Sequence, residues 1–198
     1  MPDEKTLIIQ AQGGDVAAFE ALVSEYQKKI FSIAFRMLQN QEDAADITQE
    51  ILVKIFKNLN RFKGDSKFST WIYRIATNAC LDELKKSHRK YTAFSLDKEL
   101  ETEDGSLVTE VRDERPTPDA VVEKKAVQKA VQSAIGKLNE DHRAVIVLRD
   151  LQGFSYEEIA KVLRCSVGTV KSRINRARLN LKKILIQDKE LFSDYFVK

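Results

Sequence analysis

The stretch VGTVKSRINRARLNLKK (167–183) concentrates side chains that bind nucleic acid. Seven of the twenty residues from Arg164 to Lys183 are basic and none is acidic. Arg and Lys donate to guanine O6 and N7, Asn pairs with adenine, and flanking cations hold phosphates, which sets register but not sequence. At about 100° per residue, Val167, Val170, Ile174, Ala177, Leu181 and Ile184 fall on one apolar stripe of a helix. Lys171, Ser172, Asn175 and Arg176 then face outward as one patch, with Arg173 and Arg178 at its flanks. Just upstream, Ser155 and Glu158 make an S-x-x-E capping box that starts a short helix with Ile159, Val162 and Leu163 on its apolar side. The segment RCS (164–166) suits only a tight turn, and Ser166 can cap the next helix. Two helices joined this way form a helix-turn-helix, whose second member commonly enters the major groove. A merely solvated basic face would carry the same charge. The capped short helix, the turn and the lack of acidic residues favour DNA.

A second constellation lies in KFSTWIYRIATNACLDELKKSHRK (67–90). Trp71, Arg74 and Asn78 fall along one side of a helix, with Phe68 and Tyr73 nearby. Aromatic faces stack on unpaired bases and cations track a strand's phosphates. At this level Trp71 and Tyr73 serve equally well as core residues. A third group, Asp46, Gln49 and Glu50 in DITQE, spans little more than one helical turn. It is either a polar patch for a basic partner or an ordinary solvated face.

The elements that must position these groups read as all-α. Only 7 Gly and 3 Pro punctuate 198 residues, and few runs alternate with period two. Asp15 can cap a long helix with Phe19, Leu22, Val23, Tyr26, Ile30, Ile33, Ala34 and Met37 on one stripe, ending at Asn40. A second helix is expected from about Glu42 to Phe62, a turn at 63–67, and a third helix from about Ser69 to Lys90. Residues 92–119 lose the periodicity and end in PTP, which reads as a flexible acidic linker. Helices resume from about Ala120 to Lys137 and again after Asn139, stopping at Gly153. Charge obeys the same division. Residues 1–92 carry 14 basic and 12 acidic side chains, 93–120 carry 3 and 9, and 121–198 carry 16 and 9. The expected organisation is two small helical domains, 1–91 and 120–198, joined by 92–119.

Other chemistries lack their residues. Cys80 and Cys165 are far apart in sequence, and with His88 and His142 they give no ligand spacing, so no metal or cofactor is expected. Both cysteines suit small buried or half-buried positions in a reducing compartment. The N-terminal MPDEKTLIIQAQ has no signal-peptide pattern, and no stretch approaches the roughly 20 apolar residues of a membrane span, which points to the cytoplasm. No Gly-rich phosphate loop or nucleophile–base set argues for an enzyme or a small-molecule substrate.

DITQEILVKIFKNLNRFKGDSKFSTWIYRIATNACLDELKK resembles region 2 of bacterial sigma factors, and LNEDHRAVIVLRDLQGFSYEEIAKVLRCSVGTVKSRINRARLNLKKIL resembles their region 4. Their order and separation, without a region 1.1 or region 3, resemble the extracytoplasmic-function (group IV) subfamily. The resemblance implies that Asp46, Gln49 and Glu50 dock on the β′ clamp helices of RNA polymerase, with the β flap as a further contact. It implies that Phe68, Trp71, Tyr73, Arg74 and Asn78 melt and read the −10 element, a flipped base entering near Asn78 and the 63–70 loop. Region 4, through Lys171, Ser172, Arg173, Asn175, Arg176 and Arg178, would read the −35 element as duplex. The acidic linker would run toward the RNA exit path, and an anti-sigma factor would hold the protein in check. Asn175 stands where some relatives carry an aromatic, so a −35 sequence does not transfer. Two rivals stay open: a stand-alone helix-turn-helix regulator, and a helical adaptor that binds only proteins.

Overall fold

A computed structural model describes residues 3–95 and 118–187, and among these residues every regular element is helical. The elements are α1 (Glu4–Gln12), α2 (Val16–Leu38), α3 (Gln41–Asn58), α4 (Phe68–Ser95), α5 (Pro118–Gly136), α6 (Glu140–Ile146), α7 (Tyr156–Leu163) and α8 (Val167–Gln187). A 3₁₀ turn (Leu59–Arg61) succeeds α3, and a five-residue π-helical turn (Val147–Leu151) continues α6.

Local chemistry sets most boundaries. The Asp15 carboxylate accepts from the Ala18 amide at 3.0 Å and opens α2. That helix ends at Gln39, which takes the left-handed conformation (φ 64°). Asn40, expected as the stop of α2, instead caps α3 by accepting from the Glu42 and Asp43 amides. Helix α1 has no counterpart among the expected elements. Asp3 caps it, and the Gln12 amide ties it to the Leu59 and Phe62 carbonyls at 3.0 and 3.1 Å. The expected linker shortens at both ends, since 92–95 continue α4 and 118–119 open α5; positions 96–117 lie outside the described residues.

The stripes are buried as the periodicity demands. Ile30, Ile33, Ala34 and Met37 of α2 and Ile51 and Ile55 of α3 are fully buried. Each large side chain among them contributes roughly 1.5–3 kcal/mol. The first four helices form one bundle, and α5–α8 another layer packed on it. The two halves share one continuous set of buried residues.

Their seam is specific. Helix α4 packs on α7, and α2 on α5, α6 and the π-helical turn. The Tyr73 and Phe154 rings meet edge to face with centroids 5.0 Å apart. Lys29 Nζ lies 4.7 Å from the centre of Phe154 and 5.3 Å from that of Tyr73, within cation–π range. Gln152 donates to Ser32 Oγ at 2.8 Å, and Arg36 to Gln132 Oε1 at 3.0 Å. Arg143 of α6 is buried and donates to the carbonyls of Met37 (2.6 Å), Leu138 (3.1 Å) and Gly136. Burial lowers its pKa and the Glu140 carboxylate opposes that shift. The C-terminal ends of α2 and α5, where carbonyls are unpaired and the helix dipole is negative, also hold this cation.

Candidate nucleic-acid interface

The helix-turn-helix is built as its residues require. Ser155 Oγ accepts from the Glu158 amide at 3.1 Å while the Glu158 carboxylate accepts from the Ser155 amide at 2.8 Å, a complete capping box. Helix α7 ends at Arg164 in the left-handed conformation (φ 52°), its amide donating to the Ala160 carbonyl. Ser166 Oγ then accepts from the Thr169 amide at 3.0 Å and starts α8. Val170, Ile174 and Ala177 anchor α8 in the core, with Val167, Leu181 and Ile184 half-buried. This fixes the opposite face toward solvent.

That face carries Lys171, Ser172, Asn175 and Arg176, all exposed. Ser172 Oγ donates back to the Thr169 carbonyl at 2.9 Å. Lys171, Asn175 and Arg176 make no hydrogen bond or ion pair among the described residues. The two flanking arginines are engaged. Arg173 pairs with Asp141 at 3.3 Å, and Arg178 grips Asp150 through Nε at 3.1 Å and a second guanidinium nitrogen at 2.5 Å. The Asp150 carboxylate raises the already high Arg178 pKa. A phosphate contact from either arginine therefore requires exchange of an existing partner. Helical phase also places Leu179, three residues beyond Arg176 and four beyond Asn175, in the middle of the outward face, where it is 61% exposed; being apolar, it falls outside the polar set expected from the sequence. An apolar side chain there can meet a thymine methyl.

The first-half residues divide differently. Phe68 is 1% exposed and packs on Phe62, Tyr26 and Trp71 of its own half, so its ring supports the core and offers no stacking face in this form. Tyr73 is 7% exposed beneath Phe154, and burial pushes its phenol up to about 12. Trp71, Arg74 and Asn78 do converge. They line a cavity of about 280 Å³ together with Asn58, Arg61 and Ile75, and Arg164 from the second half completes its wall. Neither Asn58, Arg61 nor Arg164 is expected there from the sequence. Asn58 and Arg61 sit where α3 gives way to the 3₁₀ turn, outside the helical phase of α4, and Arg164 is distant in sequence.

Asp46, Gln49 and Glu50 are exposed on α3. Glu50 makes a long, exposed ion pair with Lys54 at 3.6 Å, worth little on its own. Val53 and Phe56, 50% and 45% exposed, continue the same face, so the surface is part polar and part apolar. Cys80 is buried and its thiol is pushed up to about 12 by desolvation, whereas Cys165 is half-buried. Among the described residues no cluster of His, Cys, Asp and Glu could hold a metal ion. No helix among them is long and apolar enough to cross a membrane.

Residues 22–90 match the family described as Sigma-70 region 2, and residues 128–181 the family described as Sigma-70, region 4. The chain is 35% identical over 184 residues to the RNA polymerase sigma-H factor of Pseudomonas aeruginosa, covering 92% of this chain and 93% of that one. It is 37% identical over 182 residues to the ECF RNA polymerase sigma factor SigW of Bacillus subtilis, covering 91% and 96%. Its fold is similar to that of the sigma factor RpoE solved in complex with the anti-sigma factor NepR from Bartonella quintana. There the TM-score is 0.65 and the identity 24%, with 86% of this chain and 98% of that chain covered. With both matched regions in this order and relatives matched over nine-tenths of its length, the chain belongs to the extracytoplasmic-function RNA polymerase sigma factors.

Proposed function

We propose that this chain binds core RNA polymerase and directs promoter-specific initiation, with residues 120–198 reading the −35 element as duplex and residues 1–91 opening and reading the −10 element. The outward face of α8 carries the reading: Lys171, Asn175 and Arg176 stand exposed, with no hydrogen bond or ion pair among the described residues, on a helix whose other side is locked into the core. Lys171, Ser172, Asn175 and Arg176 contact base edges and nearby phosphates, and Arg173 and Arg178 turn to phosphates on release from Asp141 and Asp150. Trp71, Arg74 and Asn78 form the −10 subsite around an extruded base. Tyr73 joins it once Phe154 withdraws, and Phe68 supports it from the core. Asp46, Gln49 and Glu50, extended by Val53 and Phe56, dock on the β′ clamp helices, while the second half meets the β flap. The chain itself performs no bond-making step; the polymerase core does, in the cytoplasm. An anti-sigma factor is the matching regulator, as in the complex with NepR.

Transcription with purified core polymerase and a promoter library tests this. The expected result is polymerase-dependent initiation with an asymmetric footprint over two elements. A folded chain that directs no initiation would overturn the reading. A palindromic footprint without polymerase would support a stand-alone regulator, and normal function after Lys171→Ala plus Arg176→Ala a protein-only adaptor.

A further inference from the structure

The cavity at the seam gathers three arginines from two halves of the chain. Arg61 and Arg74 come from the first half and Arg164 from the second. None of the three makes an ion pair or side-chain hydrogen bond among the described residues, whereas Arg173 and Arg178 each hold an aspartate. Asn58 and Asn78 add neutral polar groups to the same wall, and among the described residues no carboxylate lines it. Arg164 is held in place by backbone geometry: it ends α7 in the left-handed conformation, just ahead of the Ser166 cap. Like charges brought together without a counter-charge repel, and the proximity of Arg164 adds to burial in lowering the Arg74 pKa. Planar guanidinium groups converging on a cavity match the geometry of a phosphate-bearing anion.

We propose that this cavity binds a small diphosphate, either free pyrophosphate or the diphosphate of a nucleotide, and that the bound anion bridges Arg74 and Arg164 and so holds the two halves closed. The site exists only while the halves are packed, because Arg164 leaves with the second half. A ligand that binds the closed form alone stabilises it in proportion to the logarithm of its concentration over its dissociation constant. The same ligand occupies the space next to Trp71 and Asn78. It therefore acts as a small-molecule brake on the chain, separate from any protein inhibitor and independent of which bases the chain reads.

The single tryptophan of the chain, Trp71, lines the cavity and supplies the readout without polymerase or DNA. Titration of the full chain with sodium pyrophosphate, and separately with ADP, should change Trp71 emission saturably and raise the melting temperature. Sodium chloride at matched ionic strength should do neither. Arg164→Asn, which suits the left-handed position, and Arg74→Gln should each weaken binding at least tenfold with helicity by circular dichroism unchanged. Equal affinity for pyrophosphate and ADP supports a site that reads the phosphates alone; tighter ADP binding supports one with an added contact to the nucleoside. Absence of saturable binding by either compound at millimolar concentration would overturn the proposal, as would binding unchanged in Arg164→Asn.

Discussion

Helix α8 presents Lys171, Asn175 and Arg176 to solvent on a rigid support, whereas the first-half cavity is walled by Arg164 and its neighbour Tyr73 lies under Phe154. A duplex is read from outside, so an exposed face on a buried stripe is sufficient. An unpaired strand must be enclosed, so its site needs walls that open. In this structure the wall of the proposed strand site includes Arg164, from the half that carries the proposed duplex reader. On the proposed reading, capture of a −10 base requires the halves to part, whereas on the −35 face Lys171, Asn175 and Arg176 already stand exposed and only Arg173 and Arg178 must first leave Asp141 and Asp150.

The sharpest way to break this contrast is Lys171→Ala with Arg176→Ala. Each good base contact is worth about 1–3 kcal/mol. The pair should therefore lower −35-dependent transcription by roughly a hundredfold or more, with helicity unchanged by circular dichroism. Retained activity would remove α8 as the duplex reader.

Phe154→Ala attacks the other side. Loss of a buried phenylalanine costs about 3 kcal/mol or more, so urea unfolding should shift accordingly. Because Phe154 covers Tyr73 and neighbours Lys29, the isolated variant should also bind a single-stranded −10 oligonucleotide several-fold more tightly than the parent. Weaker binding would mean that the seam does not occlude the strand site. Asn78→Ala should alter preference within the −10 element by about tenfold and leave −35 preference alone, as scored on a promoter library. Equal loss at both elements would count against a local role.

A finer distinction lies within α8. Replacing exposed Lys182 by Ala should reduce the slope of log affinity against log salt for duplex by about one. Arg173→Ala and Arg178→Ala should reduce it less, because Asp141 and Asp150 already neutralise these charges in part. An equal reduction for Arg178 would show that its pair with Asp150 opens on DNA.

The smallest effect concerns the thiols. At pH 8 iodoacetamide should label Cys165 and spare Cys80 in the folded chain, as counted by mass spectrometry of digests. Burial raises the Cys80 thiol from 9 to about 12 and the Tyr73 phenol from 10 to about 12. The unfolded chain then loses these protons before the folded chain does, so stability is full below about pH 9 and declines as pH rises toward 12. Denaturant midpoints measured across that range check the sign.

The features legible in the residues alone are those that repeat or cap. The stripes of α2, α3 and α8, the Ser155–Glu158 box and the Ser166 cap all express short-range physics within a few residues. Helix α1 leaves no such signal, because its Asp3 cap precedes a helix whose apolar face is short and whose anchor, Gln12, reaches residues some fifty positions away. The seam is hidden for the same reason. Arg143 meets Met37 across 106 positions, and Tyr73 meets Phe154 with no pattern to announce the contact. Helical phase puts Trp71, Arg74 and Asn78 on the side of α4 that lines the cavity, but all three aromatics of the segment, Phe68, Trp71 and Tyr73, are buried, and only Trp71 also borders the cavity, a division set by what packs against α4.

The Arg143 clamp gives opening a particular character. A seam of apolar side chains can slide, but a guanidinium held by three carbonyls cannot move off Met37 without exchanging that bond for water. The first step of separation is therefore hydration of a dry cation and a helix end, closer to a local melting than to a hinge swing. Amide exchange at the α2–α3 junction and at the α5–α6 junction should then rise together, as one cooperative opening.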